Sequence, residues 1–295
     1  MRKNSQTLTT QSIPTLIKQL AIPASIGMFF NTMYNVVDTF YAGLISTQAI
    51  SALTLSFMIF FLIIGFGYGF SSAITALLGN ALGKKRYKLA SIYAHKGLIF
   101  VPLIGLTLSI IGYFFAPSLF MFLGAKDEYL QISLDYINPI LFGAIFFMFN
   151  FSLNSILIAT GDTKTYRNSL IFGFFANLAL NPLFMYGFLF VPAMGIKGIA
   201  FATVLIQIIN MFYLFYKVLQ TKLIHFDKLE YFIPNLRIYK LFFTHGIPSS
   251  LNMLTMAIGS LILTYFVSHY GIQAVAGYGI GYRVEQLMLL PALGL

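Results

Sequence analysis

Residues 51–79 read SALTLSFMIFFLIIGFGYGFSSAITALLG, and none of these side chains is charged. As an α-helix the run would be about 44 Å long, longer than the hydrocarbon core of a bilayer is thick. A strand of a membrane barrel would be shorter and would alternate apolar with polar residues. The segment Phe57 to Phe61 does not alternate. The run therefore reads as a membrane-spanning helix.

The rest of the chain repeats this pattern. Between Lys18 and Lys84 the only charge is Asp38. No charge lies between Lys96 and Lys126, between Arg167 and Lys197, or between Lys240 and Arg283. Each gap accommodates one or two spans of about 20 apolar residues. Helices are predicted at roughly 14–40, 51–79, 94–116, 131–158, 167–190, 196–219 and 241–268, with an eighth beginning near 274. Of the 295 residues, 58% are hydrophobic and 9% are charged, against about 25% charged in soluble domains. Soluble globular, disordered and small secreted folds are excluded, and the class is all-α and polytopic. The absence of Cys removes disulfides, thiolate zinc sites and thiol nucleophiles.

Basic residues give the orientation. Arg2, Lys3 and Lys18, the group Lys84, Lys85, Arg86, Lys88 and Lys96, the pair Lys164 and Arg167, and Lys217, Lys222, Lys228, Arg237 and Lys240 fall on one side. These are 15 of the 18 Lys and Arg; Lys126 and Lys197 fall on the other side, and Arg283 lies within the eighth span. By the positive-inside rule the N-terminus and the loops after even-numbered helices face the cytoplasm of a cell membrane. The net charge of +10 thus describes a membrane face, with no nucleic-acid partner expected. The polar stretch to Gln11 and the long first span do not resemble a cleaved signal, so the first helix is expected to stay.

The chain also repeats itself. Residues 21–70 align with 246–295 at a constant offset of 225, with nine identities in fifty. Ile22-Pro23-Ala24-Ser25 faces Ile247-Pro248-Ser249-Ser250, and Gln48-Ala49 faces Gln273-Ala274. Helices 1 and 7 are separated by an even number of spans, so the repeats are parallel, a common transporter plan. A second half of equal length would bring the molecule to roughly 450 residues. This chain would then break off within helix 8 and would not transport alone.

Asp38 is the only acid in the first three spans, and a charge at mid-bilayer is costly enough to imply a use. Asn31, Asn35 and Asp38 share one helical face by their i, i+4, i+7 spacing. Polar i, i+4 pairs recur as Asn150 and Asn154, Asn177 and Asn181, and Thr203 and Gln207. Single amides commonly serve as packing contacts between helices. Gathered around one acid, they read as a site for Na⁺ or a proton. Na⁺ wants several oxygens, and a proton site needs a carboxyl that exchanges its proton. Pro23 weakens helix 1 by removing a backbone hydrogen bond, a hinge or a static kink. Gly65, Gly67 and Gly69 read as a small-residue face for close helix contact. His95, His225, His245 and His269 are dispersed. No H-E-x-x-H, G-x-S-x-G or Walker A pattern is present, so no enzyme and no cofactor is expected.

The segment Tyr34-Asn35-Val36-Val37-Asp38-Thr39-Phe40-Tyr41-Ala42-Gly43 resembles helix 1 of the multidrug and toxic compound extrusion (MATE) transporters. So do Ala81-Leu82-Gly83-Lys84-Lys85-Arg86, Ala159-Thr160-Gly161-Asp162-Thr163-Lys164-Thr165 and Asn177-Leu178-Ala179-Leu180-Asn181-Pro182-Leu183-Phe184. The resemblance covers essentially the whole chain. It implies a six-helix N-terminal lobe at 14–220 after a cytoplasmic N-terminus at 1–13, a linker at 221–240, and an incomplete C-terminal lobe at 241–295. The whole would be a twelve-helix, two-lobe transporter, monomeric at full length.

The resemblance also implies a cation site in which Asp38 is the central carboxylate, Asn177 an amide ligand and Thr203 a hydroxyl. Asn181 stands where many members carry a second carboxylate. Asn31, Asn35, Tyr136 and Asn154 would form the supporting polar network, and Pro23 the bend of helix 1. Helix 7 carries no acid between Leu251 and Leu263, which resembles the DNA-damage-inducible (DinF) branch. The expected function is a secondary antiporter that exports small organic, cationic and amphiphilic compounds in exchange for H⁺ or Na⁺. A lipid-linked oligosaccharide flippase is the alternative, for which Arg283 would be the only embedded cation, and a non-transport membrane subunit is a third reading.

Overall fold

The computed structural model describes residues 13–188, 191–227 and 229–293. Within them eight α-helices follow one another: α1 (Ile13–Ile45), α2 (Thr47–Gly83), α3 (Tyr87–Phe122), α4 (Asp127–Ala159), α5 (Lys164–Tyr186), α6 (Ile196–Leu219), α7 (Leu236–Ser268) and α8 (Ile272–Leu293). A 3-10 turn at Leu229–Tyr231 precedes α7. The chain is an all-α polytopic membrane protein, with a six-helix lobe followed by the first helices of a second. Arg2 and Lys3 lie outside the described residues.

Six of the helices, α2 to α7, are long and apolar enough to cross a bilayer. α1 matches α7 in length at 33 residues. The outer surface is greasy, with Phe114 72% and Phe142 82% exposed. Such rings belong against lipid, since water would penalise them.

Several helices extend beyond the predicted spans because backbone hydrogen bonding continues past the last apolar residue. α5 is the exception and stops at Tyr186. Gly187 takes φ 77° there, and a Cβ on it would meet Val191 O and Ala193 N at 2.8 Å. The chain then turns back through a bridge between Phe188 and Val191. At the opposite end, the Gly161-Asp162-Thr163 turn starts α5. Asp162 accepts from Thr165 N at 3.0 Å and from Thr165 Oγ1 at 2.6 Å, which caps free helix-terminal donors.

α2 lies at the centre, packed against α3, α4, α7 and α8, while α5 sits between α1 and α6. Of the five glycines of α2, Gly65, Gly67 and Gly69 serve two faces instead of one. Gly65 and Gly69 approach α7, where a Cβ on Gly69 would meet Ser250 N at 2.6 Å and Gly246 O at 2.7 Å. Gly67 points at the Phe151 ring of α4. Residues two apart on a helix are 200° around the axis from each other, so the three cannot share a face. The repeat is visible in the element bounds: the offset of 225 carries Thr47, where α2 starts, onto Ile272, where α8 starts. Pro23 and Pro248 lie inside α1 and α7.

Candidate functional site

Asp38 is 4% exposed, on the last turns of α1. α5 and α6 reach it from the side. Asn177 Nδ2 and Asn181 Nδ2 each donate to Asp38 Oδ1 at 2.8 Å, and Asn181 Nδ2 also lies 3.2 Å from Asn177 Oδ1. Thr203 Oγ1 donates weakly to Asp38 Oδ2 at 3.4 Å. The four residues named as the cation site therefore do meet. The amides, however, turn nitrogen toward the carboxylate, as an ionised Asp requires, because oxygen in that place would repel it. Asn181 Oδ1 and Tyr34 Oη stay buried without a hydrogen-bond partner among the described residues. An uncompensated buried oxygen is expensive, and an amide oxygen can only accept, so Asn181 Oδ1 marks a place where a cation or a donor would be welcome. No cluster of three His, Cys, Asp or Glu side chains occurs among the described residues, and Asp38 is the acid available.

A cavity of about 630 Å³ opens beside the carboxylate. Asp38 and Thr203 line it, whereas Asn177 and Asn181 are fully buried behind them. The carboxylate thus meets the cavity on its Oδ2 side. The walls are mostly aromatic and aliphatic, with Phe57, Phe60, Tyr136, Phe147 and Phe151 among them. The space runs along α1 past Asn35 and Asn31 to Gly27 and Pro23, and ends near Tyr166 and Arg167 at the basic end of the bundle.

The supporting residues divide. Tyr136 is buried and lines the cavity. Asn154 lines it farther along, its Oδ1 unpartnered among the described residues. Asn150 Nδ2 donates to Gln207 O at 3.0 Å and to Gln207 Oε1 at 2.8 Å, tying α4 to α6. Asn35 does not reach Asp38: its Nδ2 donates to Asn31 O at 2.9 Å along its own helix. Asn31 is exposed on the cavity side.

One residue of the cavity stood outside the predicted set. Arg283 of α8 is 4% exposed and lines the same space. Its Nε donates to Asn35 O at 3.4 Å and its Nη1 to Gly279 O at 3.1 Å. The guanidinium carbon sits 4.3 Å from the centroid of Phe57, a favourable cation–π distance. The signal for it was in the sequence, as the first charge after a long apolar run, and an intramembrane charge is a functional candidate by default. Under the offset of 225, Asp38 corresponds to Leu263 and Arg283 to Met58. Each repeat thus supplies one of the two buried charges of the cavity.

A family model described as MatE matches residues 23–183 and 248–295. The chain is 30% identical over its full length to a probable multidrug resistance protein, YoeA, of Bacillus subtilis, covering 66% of that protein. It is 24% identical to a FAD transporter of Shewanella oneidensis, over 99% of the chain and 65% of that protein. Among solved structures, an outward-facing multidrug resistance MATE family transporter of the MOP superfamily superimposes with a TM-score of 0.84 at 28% identity. That match covers 99% of this chain and 64% of the other. The chain thus spans just under two-thirds of the length of these relatives.

Proposed function

The chain belongs to the MatE family, and on that premise we propose that it forms the ion-coupling part of an antiporter exporting small organic compounds. The whole protein would lie in the cytoplasmic membrane as a monomer with its N-terminus inside, the orientation the basic loops favour. Asp38 is the coupling group. Cation and substrate bias the same two-state element in opposite directions, so loading one releases the other. The observation that carries this reading is the buried Asp38, held by two amide donors of α5 on one oxygen, with Thr203 of α6 and the cavity on the side of the other.

H⁺ is the coupling ion this geometry favours. A proton can add to Oδ2 from the cavity without moving Asn177 or Asn181. Na⁺ would need oxygens where nitrogens now point, so the Asn177 amide would have to turn. Na⁺ keeps one argument, the orphaned Asn181 Oδ1. The aromatic wall suits amphiphilic ring systems. With Arg283 in the same space as Asp38, cavity charge does not demand a cationic substrate, and zwitterions fit as well. A lipid-linked oligosaccharide flippase is not favoured: relatives of the chain are named for multidrug resistance, and the cavity wall is mostly apolar.

Proteoliposomes holding the full-length protein test the proposal, with export driven separately by a pH gradient and by a Na⁺ gradient. Uphill export under the pH gradient, lost in Asp38→Asn, is the expected result. Export by Asp38→Asn at the wild-type rate would overturn it.

A further inference from the structure

The four histidines look scattered in sequence, yet two of them meet at the basic end of the bundle, with a lysine beside them. Ser91, His95 and Lys96 occupy one end of α3 and are 3%, 0% and 4% exposed. All three hold the segment joining α6 to α7. Ser91 Oγ donates to Leu223 O at 2.6 Å. Lys96 Nζ donates to Glu230 O at 3.3 Å and to Ile233 O, closing the far side of the 3-10 turn.

The ring of His95 is held at both nitrogens. Its Nδ1 lies 2.7 Å from Ser91 O, a carbonyl that can only accept. Its Nε2 accepts from the His225 N–H at 3.0 Å and lies 3.2 Å from His225 O. The ring also packs edge-on against Phe232 at 4.7 Å and Tyr231 at 5.4 Å.

Apolar packing agrees with the polar contacts. Leu223 and Ile224 are buried in one core cluster with Leu78, Ala90, Leu153 and Leu214, all on first-lobe helices. Immediately afterwards the character changes. Ile233 and Leu236 are 64% and 84% exposed. Asn235 caps α7, accepting from Arg237 N at 3.0 Å and from Ile238 N at 3.2 Å. Pro234 lies between, its φ fixed by its ring.

We propose that Ser91, His95 and Lys96 latch the inter-lobe linker to the first lobe, so that residues 221–233 travel with that lobe and its pivot is confined to Pro234-Asn235-Leu236. A loose tether has no need of a buried lysine that donates to two of its backbone carbonyls, because burying a cation is unfavourable unless its donors are used. Three attachment points over eleven residues also leave the segment little freedom. The remaining soft torsions are those of Asn235 and the ψ of Pro234. Lys96 is a positioning residue, acting on lobe motion only through the linker. The pivot rests on the two-lobe transport reading above; the latch does not.

Spin-label distances in the full-length protein test it, using the exposed positions Tyr87, Asp227 and Thr244. The 295 residues contain no native Cys, so Tyr87→Cys, Asp227→Cys and Thr244→Cys introduce the only thiols in this part. The Tyr87–Asp227 distance is expected to be narrow and identical under conditions that favour either facing state, while Asp227–Thr244 shifts. Lys96→Met should broaden Tyr87–Asp227, and Lys96→Arg, which keeps donors, should restore it. A Tyr87–Asp227 distance that changes between states, or stays narrow in Lys96→Met, overturns the latch. Movement in a Tyr87–Thr244 control without movement in Asp227–Thr244 overturns the pivot. A Tyr87–Thr244 distance constant in every condition counts against both alternating access and the pivot, with the latch still decided by Lys96→Met.

Discussion

Asn181 and Asp38 are 143 residues apart in the chain, and the Asn181 amide nitrogen rests 2.8 Å from the Asp38 carboxylate. The amide stands where a second acid would make the site a dicarboxylate. With Asn there, one formal negative charge is spread over three donors, and neutralising it takes one cation.

Asp38→Asn is expected to reduce gradient-driven export to background while leaving membrane insertion intact. The Asn carbonyl can still accept from Asn177 and Asn181, so stability should change by only about 1 kcal/mol. Export assays and detergent size-exclusion profiles of the same preparation measure both halves.

Asn181→Asp is expected to make the protein respond to Na⁺. A second carboxylate beside Asp38 supplies the oxygens that the present amides turn away, and unscreened like charges disfavour the empty site. The melting temperature of the variant should rise with added Na⁺ more than that of the wild type. Equal Na⁺ responses would show that the amide oxygens already serve.

Arg283→Met removes the one buried guanidinium from the cavity and leaves Arg167, at its basic end, as the cation lining that space. Export should shift toward cationic and away from zwitterionic compounds of the same ring system. Competition between two such fluorophores in one vesicle preparation reads the ratio directly. An unchanged ratio would place Arg283 among the structural contacts, holding α8 to Asn35 and Phe57.

Gly69→Ala should destabilise the protein by about 1–3 kcal/mol, because the added methyl runs into the backbone of α7. Gly79→Ala is the control on the same helix. Nothing lies within 4 Å of its Cβ position, so it should be neutral or stabilising by up to about 1 kcal/mol. Thermal unfolding in detergent compares the two.

Much of the candidate site was legible because its signals are local. Asp38 is conspicuous as a charge in an apolar run, and Asn177 with Asn181 shows the i, i+4 spacing of one helical face. Arg283 was visible as a charge but not as a neighbour of Asp38. Its hydrogen bonds go to the backbone oxygens of Asn35 and Gly279, and carbonyls that every residue carries leave no mark in the sequence. The same reason hid the meeting of His95 with His225 and of Lys96 with Ile233.

The sequence by itself determined the solvent, the helical class, the parallel repeat and the identity of the buried acid. Each follows from the spacing of polar and apolar residues along one chain, which a bilayer allows few ways to satisfy. Tertiary structure alone decided which atom of each amide faces Asp38, which side of the carboxylate borders the cavity, that Gly65 and Gly67 serve different neighbours, and that α8 sends a guanidinium into the first lobe. Those outcomes depend on contacts between helices far apart in sequence, where close packing and the pairing of most buried donors select one arrangement.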